Sequence, residues 1–141
     1  MAVDRAELVR TTFESFMRGD PGPIVERLAP DVEWRNPPQA IEPGVRRGPA
    51  EFEAVLDGLL DSFEQLEIEI QELVESDDAI LTRTQVDGRG RASGAPLHQR
   101  FFQVMRFDGD LLGAFEWYID SPAALAAVGL SEWPSGWTAS P

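Results

Sequence analysis

Residues 49–71, PAEFEAVLDGLLDSFEQLEIEIQ, contain the change of period that decides the fold. In the first half Phe52, Val55, Leu56, Leu59, Leu60 and Phe63 recur every three or four residues, the spacing of one buried helix face. From Leu66 the period drops to two. Leu66, Ile68 and Ile70 alternate with Glu67, Glu69 and Gln71, which puts the apolar side chains on one side of an extended strand. The stretch therefore predicts a helix running into a half-buried antiparallel strand.

Towards the N-terminus, Ala6, Val9, Phe13, Phe16 and Met17 keep helical spacing, with Glu7, Arg10 and Glu14 between them, and predict an amphipathic helix over about 4–18 that Gly19-Asp20-Pro21 ends. A short helix over Pro23–Leu28 is expected next. Ala29-Pro30-Asp31 breaks it before a strand around Val32–Arg35, which Asn36-Pro37-Pro38 stops. Residues 39–48, with Pro43, Gly44 and Gly48, read as a loop. Towards the C-terminus, strand-like runs cover Ala79–Val86, Leu97–Phe107 and Leu111–Ile119, the last two joined by the hairpin signal Asp108-Gly109-Asp110. Ser121-Pro122 reads as a cap followed by proline at the first helical position, opening a short helix that Gly129 closes. Helices followed by an antiparallel meander specify an α+β domain with helices on one face of a curved sheet.

Composition narrows the function. The 141 residues suit one domain, and 12 Lys+Arg against 25 Asp+Glu give a net charge of −13, which opposes nucleic acid and anionic lipid as partners. With no cysteine and one histidine, His98, neither a thiol nucleophile, a disulfide nor a thiolate or His-pair metal site can be built. No metal and no cofactor are expected. Asp4, Arg5 and Glu7 stand where a signal peptide needs an apolar run, and Ala123–Val128 is too short to span a bilayer, so a cytoplasmic location is the expectation.

The stretch from Arg18-Gly19-Asp20 through Ala29-Pro30-Asp31-Val32-Glu33-Trp34, the Gly48-Pro49-Ala50 helix entry, the Asp108-Gly109 turn and Tyr118-Ile119-Asp120-Ser121-Pro122-Ala123-Ala124-Leu125 resemble the SnoaL-like branch of the nuclear-transport-factor-2-like superfamily. The resemblance spans residues 4–130. It implies a cone with an apolar pocket between sheet and helices, a domain over 1–130 and a tail over 131–141. It leaves the chemistry open, because the superfamily includes ketosteroid isomerases, polyketide cyclases, limonene-type epoxide hydrolases and proteins without assigned activity.

Several residues could carry chemistry in such a pocket. Val32, Trp34 and Asn36 share one strand face, and the resemblance turns Trp34 and Asn36 inward. Asn36 stands where ketosteroid isomerases have a carboxylate base, but an amide cannot accept a proton at neutral pH. It either positions water or a substrate oxygen, or caps the turn before Pro37. On the strand from 79 to 88 the faces are Ile80, Thr82, Thr84, Val86 and Leu81, Arg83, Gln85, Asp87; the resemblance places the second set in the pocket, with Arg83 in the role of an orienting arginine, and a buried guanidinium needs a carboxylate partner, for which Glu116 is the leading candidate. The alternative is an exposed Arg83. Counted from one end of the last strand Glu116 faces inward, counted from the other Trp117 does; the apolar set Phe115, Trp117 and Ile119 favours Trp117. Between Leu97 and Phe107 the odd positions are the more apolar, which assigns Phe101 and Gln103, and with them Gln99, to the cavity. His98 then falls on the outer or interface face, a general base only by its intrinsic pKa.

The candidate catalytic residues are therefore Glu116, Arg83 and Asn36, with His98 and Asp120 as alternatives, although Asp120 reads most simply as a helix-terminal residue. The candidate ligand-binding set is Trp34, Asn36, Arg83, Gln85, Phe101, Gln103 and Trp117. These suit a cyclase, isomerase or epoxide-hydrolase-like enzyme acting on an apolar polycyclic or terpenoid-like substrate, a non-catalytic binder of such a molecule, or a dimeric interaction module. Phe102 and Tyr118 on the outer sheet face point to a homodimer. Of the two tail tryptophans, Trp133 and Trp137, at least Trp133 is expected to pack over the mouth of the cone or on a partner subunit, the alternative being a frayed terminus.

Overall fold

The computed structural model describes residues 4–40 and 44–132. Its elements are α1 (Arg5–Met17), α2 (Gly22–Val25), β1 (Leu28–Asn36), β2 (Gly44–Arg47), α3 (Pro49–Ser62), β3 (Phe63–Glu75), β4 (Ala79–Gly90), β5 (Pro96–Asp108), β6 (Leu111–Tyr118) and α4 (Ser121–Ala127). The six strands form one curved mixed sheet in the order β2-β1-β6-β5-β4-β3. Trp133 and Trp137 lie outside the described residues.

Most elements follow the periods in the sequence. Asp4 caps α1 by accepting the Glu7 N–H at 3.2 Å, and Gly109, with φ 60°, closes the β5–β6 hairpin. Four details differ. The second helix is a single turn, and Leu28-Ala29-Pro30 already belong to β1. Residues 44–47 are not loop but an edge strand, paired antiparallel with β1 from Glu33↔Arg47 to Asn36↔Gly44. The cap of α4 is Asp120, one residue earlier than expected, whose Oδ1 accepts the Ala123 N–H at 2.9 Å. Finally, the sheet is antiparallel except where β1 lies parallel to β6, a pairing between chain ends that local periodicity cannot reveal.

Both faces of the sheet are covered. On the concave face α1 and α3 pack Val9, Phe16, Phe52 and Leu56 against Val32, Trp34, Ile80 and Met105. On the outer face α4 packs Ala124 and Leu125 against Ala79, Leu81, Phe102 and Val104. Phe102 is thus only 6% exposed within one chain. It cannot serve as the open apolar surface from which a dimer was expected.

Candidate functional site

The cone encloses a cavity of about 570 Å³ between α1, α3 and the concave sheet face. Its walls are apolar: Phe13 and Phe16 from α1, Val55 and Leu59 from α3, Phe101 and Met105 from β5, Phe115 and Trp117 from β6. The aromatic rings are ordered by one another. Trp34 stacks on Phe115 with centroids 4.6 Å apart and meets Phe52 edge-on at 5.2 Å, while Phe101 stands edge-on to Trp117 at 5.7 Å.

Two amides supply most of the polar order. Asn36 Oδ1 accepts both the Trp34 Nε1–H at 2.7 Å and the Trp117 Nε1–H at 2.8 Å. An indole nitrogen can only donate, so the amide oxygen must face the two rings. Asn36 is therefore a clamp between β1 and β6, and an amide does not serve as a base at neutral pH. Asn36→Leu is expected to leave two donors without their acceptor and to cost about 1–3 kcal/mol; chemical denaturation checks the cost, and Asn36→Asp, which retains an acceptor, should keep both indoles in place by tryptophan fluorescence. Deeper in the wall Gln103 Oε1 accepts the Thr82 hydroxyl at 2.7 Å, and Gln103 Nε2 donates to Thr84 Oγ1 at 2.8 Å.

The β4–β5 register decides the faces. Thr82 lies opposite Gln103 and Arg83 opposite Phe102, so Thr82, Thr84 and Val86 look toward the cavity while Arg83 and Gln85 look outward. Arg83 is 6% exposed, as buried as expected, but on the wrong face for a cavity residue; its Nη2 lies 3.9 Å from Glu72 Oε1 on β3. Gln85 Nε2 lies 3.4 Å from His98 Nδ1, also on the outer side. His98 is exposed and its Nδ1 is bonded to Asp87. Thus Arg83, Gln85, His98 and Asp120 do not meet at the cavity, whereas Trp34, Asn36, Phe101, Gln103 and Trp117 line it.

Glu116 also turns outward, since its neighbour Trp117 takes the inward place. It is 5% exposed and is held by Arg35 Nη1, by Arg106 Nε at 2.9 Å and by the Tyr118 hydroxyl at 2.8 Å. Arg106 Nη2 continues to the Ala127 carbonyl at 2.6 Å, which ties α4 to the sheet. Burial alone would raise the Glu116 pKa, but hydrogen bonds from Arg106, Tyr118 and Arg35 outweigh it and hold the carboxyl below its ordinary value. Burial and the bond to Glu116 push the Tyr118 phenol up to about 12. A carboxylate so held is a structural anion, poor as a proton donor at neutral pH.

Among the described residues lining the cavity there is no Asp, Glu, His, Lys, Tyr or Ser; Thr12 Oγ1 already donates to the Leu8 carbonyl at 2.7 Å, and the ionisable side chains are Arg27 and Arg46. Sequence reasoning missed both arginines and the Thr82/Thr84 pair. The threonines were discernible as polar members of the otherwise apolar Ile80–Val86 face. Arg46 carried no such signal, because its segment read as a loop.

The sequence model of the SnoaL-like domain family matches residues 9–112. No curated protein matches the chain. Among solved structures, an NTF2-like protein of unknown function from Burkholderia pseudomallei superposes with TM-score 0.73 at 22% identity, covering 90% of this chain and 98% of that one. A protein of ketosteroid isomerase-like fold from Catenulispora acidiphila, in complex with trimethylamine, superposes with TM-score 0.70 at 17% identity over 94% and 97% of the two chains. TerC co-crystallised with polyporic acid gives TM-score 0.69 at 17% identity, over 87% and 95%.

Proposed function

This chain belongs to the SnoaL-like domain family, and from that premise we propose that its cone is a receptor for a small apolar, ring-containing molecule of polycyclic or terpenoid type, bound without proton transfer by the chain's own side chains. The observation that carries this reading is the composition of the wall: aromatic and aliphatic groups, two amides engaged with indoles and threonines, and no carboxylate, imidazole or phenol among the described lining residues. General acid–base catalysis needs a titratable group within reach of the substrate. The groups of that kind assigned from the sequence, Glu116 and His98, lie on the other side of the sheet. Small organic molecules bound to two proteins of the same fold, trimethylamine and polyporic acid, support a small-molecule occupant.

Native mass spectrometry of the purified protein, followed by titration of tryptophan fluorescence with pyrene-1-methanol, tests the reading. Trp34 and Trp117 form the wall, so a saturable change in their emission is expected, and Leu59→Trp, which fills the cavity from α3, should abolish binding while the fold stays intact. Absence of binding by either method would overturn it. So would turnover of a candidate substrate with a bell-shaped pH profile that a cavity substitution removes. We further propose that the protein works as a cytoplasmic homodimer. With Phe102 covered by α4, pairing must use other parts of the surface, and a monomer in sedimentation analysis at micromolar concentration would refute it.

A further inference from the structure

Gly58 stands in the interior of α3, where glycine is disfavoured because it gives up the most backbone freedom on becoming helical. A positive φ or a crowded backbone would account for it. Neither holds: its φ is not positive, and a Cβ built on it meets no heavy atom of the described residues within 4 Å. The space beside it belongs to the cavity, which Gly58 lines together with Ala54, one turn earlier on the same side of the helix. Among the described lining residues Arg46, Ala54 and Gly58 are the solvent-exposed ones, so the cavity reaches water along this side of α3, towards β2. The mouth is thus bordered by a strip of helix that carries one methyl group and one hydrogen, where the neighbouring Val55 and Leu59 carry branched aliphatic chains.

We propose that Gly58 is a specificity-determining residue: it leaves room for a ring system too long for the enclosed part of the cavity to lie against the α3 backbone and emerge at the mouth. The proposal rests on the binding reading above and adds the shape of the ligand, elongated rather than compact. A glycine lets another group approach a backbone closely, and a flat ring gains dispersion contact along the bare strip without needing a polar partner there. A branched side chain at position 58 fills the space through which the far ring passes. A ligand held wholly inside, against Trp34 and Trp117, does not meet it.

The test is calorimetric titration with naphthalene-2-methanol and 6-phenylnaphthalene-2-methanol, which share a polar end and differ in length by one ring. The unaltered protein should bind the longer probe about fivefold to twentyfold more tightly, because one more ring leaves water. Gly58→Leu should erase that advantage and leave the affinity of the shorter probe within about twofold, since only the longer one reaches the mouth. Gly58→Ala adds a single methyl group and should erase part of the advantage while raising the melting temperature, because alanine is the better helix former; it keeps the test decisive if leucine disturbs the helix. Glu53→Leu places the same side chain at an exposed position of α3 outside the cavity lining and should change neither affinity. Thermal melting confirms that each variant is folded. An advantage of the longer probe that survives Gly58→Leu, an equal loss for both probes, or no advantage in the unaltered protein would overturn the proposal while the apolar receptor stands. Failure of both probes to bind the unaltered protein would instead sink the receptor reading, and this proposal with it.

Discussion

Glu116→Gln lowers the stability of the fold by about 3 kcal/mol, towards the lower end of what removing one partner of a buried ion pair costs. The loss arises because Arg35 and Arg106 both aim guanidinium groups at this carboxylate, and neutralising it strands two cations beside each other. Their side chains are 38% and 32% exposed, so water screens part of the penalty. Urea denaturation at neutral pH measures the difference. A cost below about 1 kcal/mol would show that water compensates both arginines. Ligand affinity should not change, since Glu116 faces away from the cavity.

The same carboxylate predicts an acid limit. Its folded pKa lies below the ordinary value of 4.5, so the folded state binds its proton less readily than the unfolded chain does. Its stabilising contribution is therefore complete above about pH 4.5 and is lost as pH falls through the lowered folded value. In Glu116→Gln this component of acid unfolding should disappear. At the other extreme the Tyr118 phenol, with its pKa raised from 10.0 to about 12, contributes fully below pH 10 and loses its contribution as pH rises through about 12. Tyr118→Phe should remove that alkaline step.

Gln103→Leu is the second large effect, expected to cost about 2–5 kcal/mol, because it leaves the hydroxyls of Thr82 and Thr84 buried without their amide partner. Both threonines are fully buried in β4, and Gln103 serves one as acceptor and the other as donor. The informative comparison is the triple variant Thr82→Val, Thr84→Val, Gln103→Leu. Replacing every partner by an apolar group of similar shape is often close to neutral. The triple variant should thus recover most of the stability lost by the single one and still bind an apolar probe. If it is no more stable than the single variant, packing rather than hydrogen bonding accounts for the loss at this site, and the network argument fails.

The sequence by itself determined the kinds of element and much of the wall. A three-to-four residue period in 52–63 and a two-residue period in 66–71 become α3 and β3, because amphipathic spacing is a local property of each backbone type. It also favoured the parity that β6 adopts: Phe115 and Trp117 of the apolar set line the cavity, while Ile119, beyond the strand, is exposed. For β5 the more apolar alternation correctly turned Phe101 and Gln103 inward, whereas Gln99, assigned to the cavity with them, is exposed and not among its lining residues. Only the tertiary structure decided the faces of β4. Six consecutive residues from Ala79 to Thr84 are buried, since α4 with its neighbours covers one side of the sheet and the cone the other. A strand with no solvent face carries no in-or-out alternation, so the resemblance to arginine-bearing relatives pointed Arg83 and Gln85 to the cavity and the register with β5 points them away. The same holds for β2 and for the parallel β1–β6 pair. Their pairing brings distant segments together, and the physical forces that choose those neighbours, the closing of the sheet and the burial of Trp34 between α3 and β6, act only once the chain has folded.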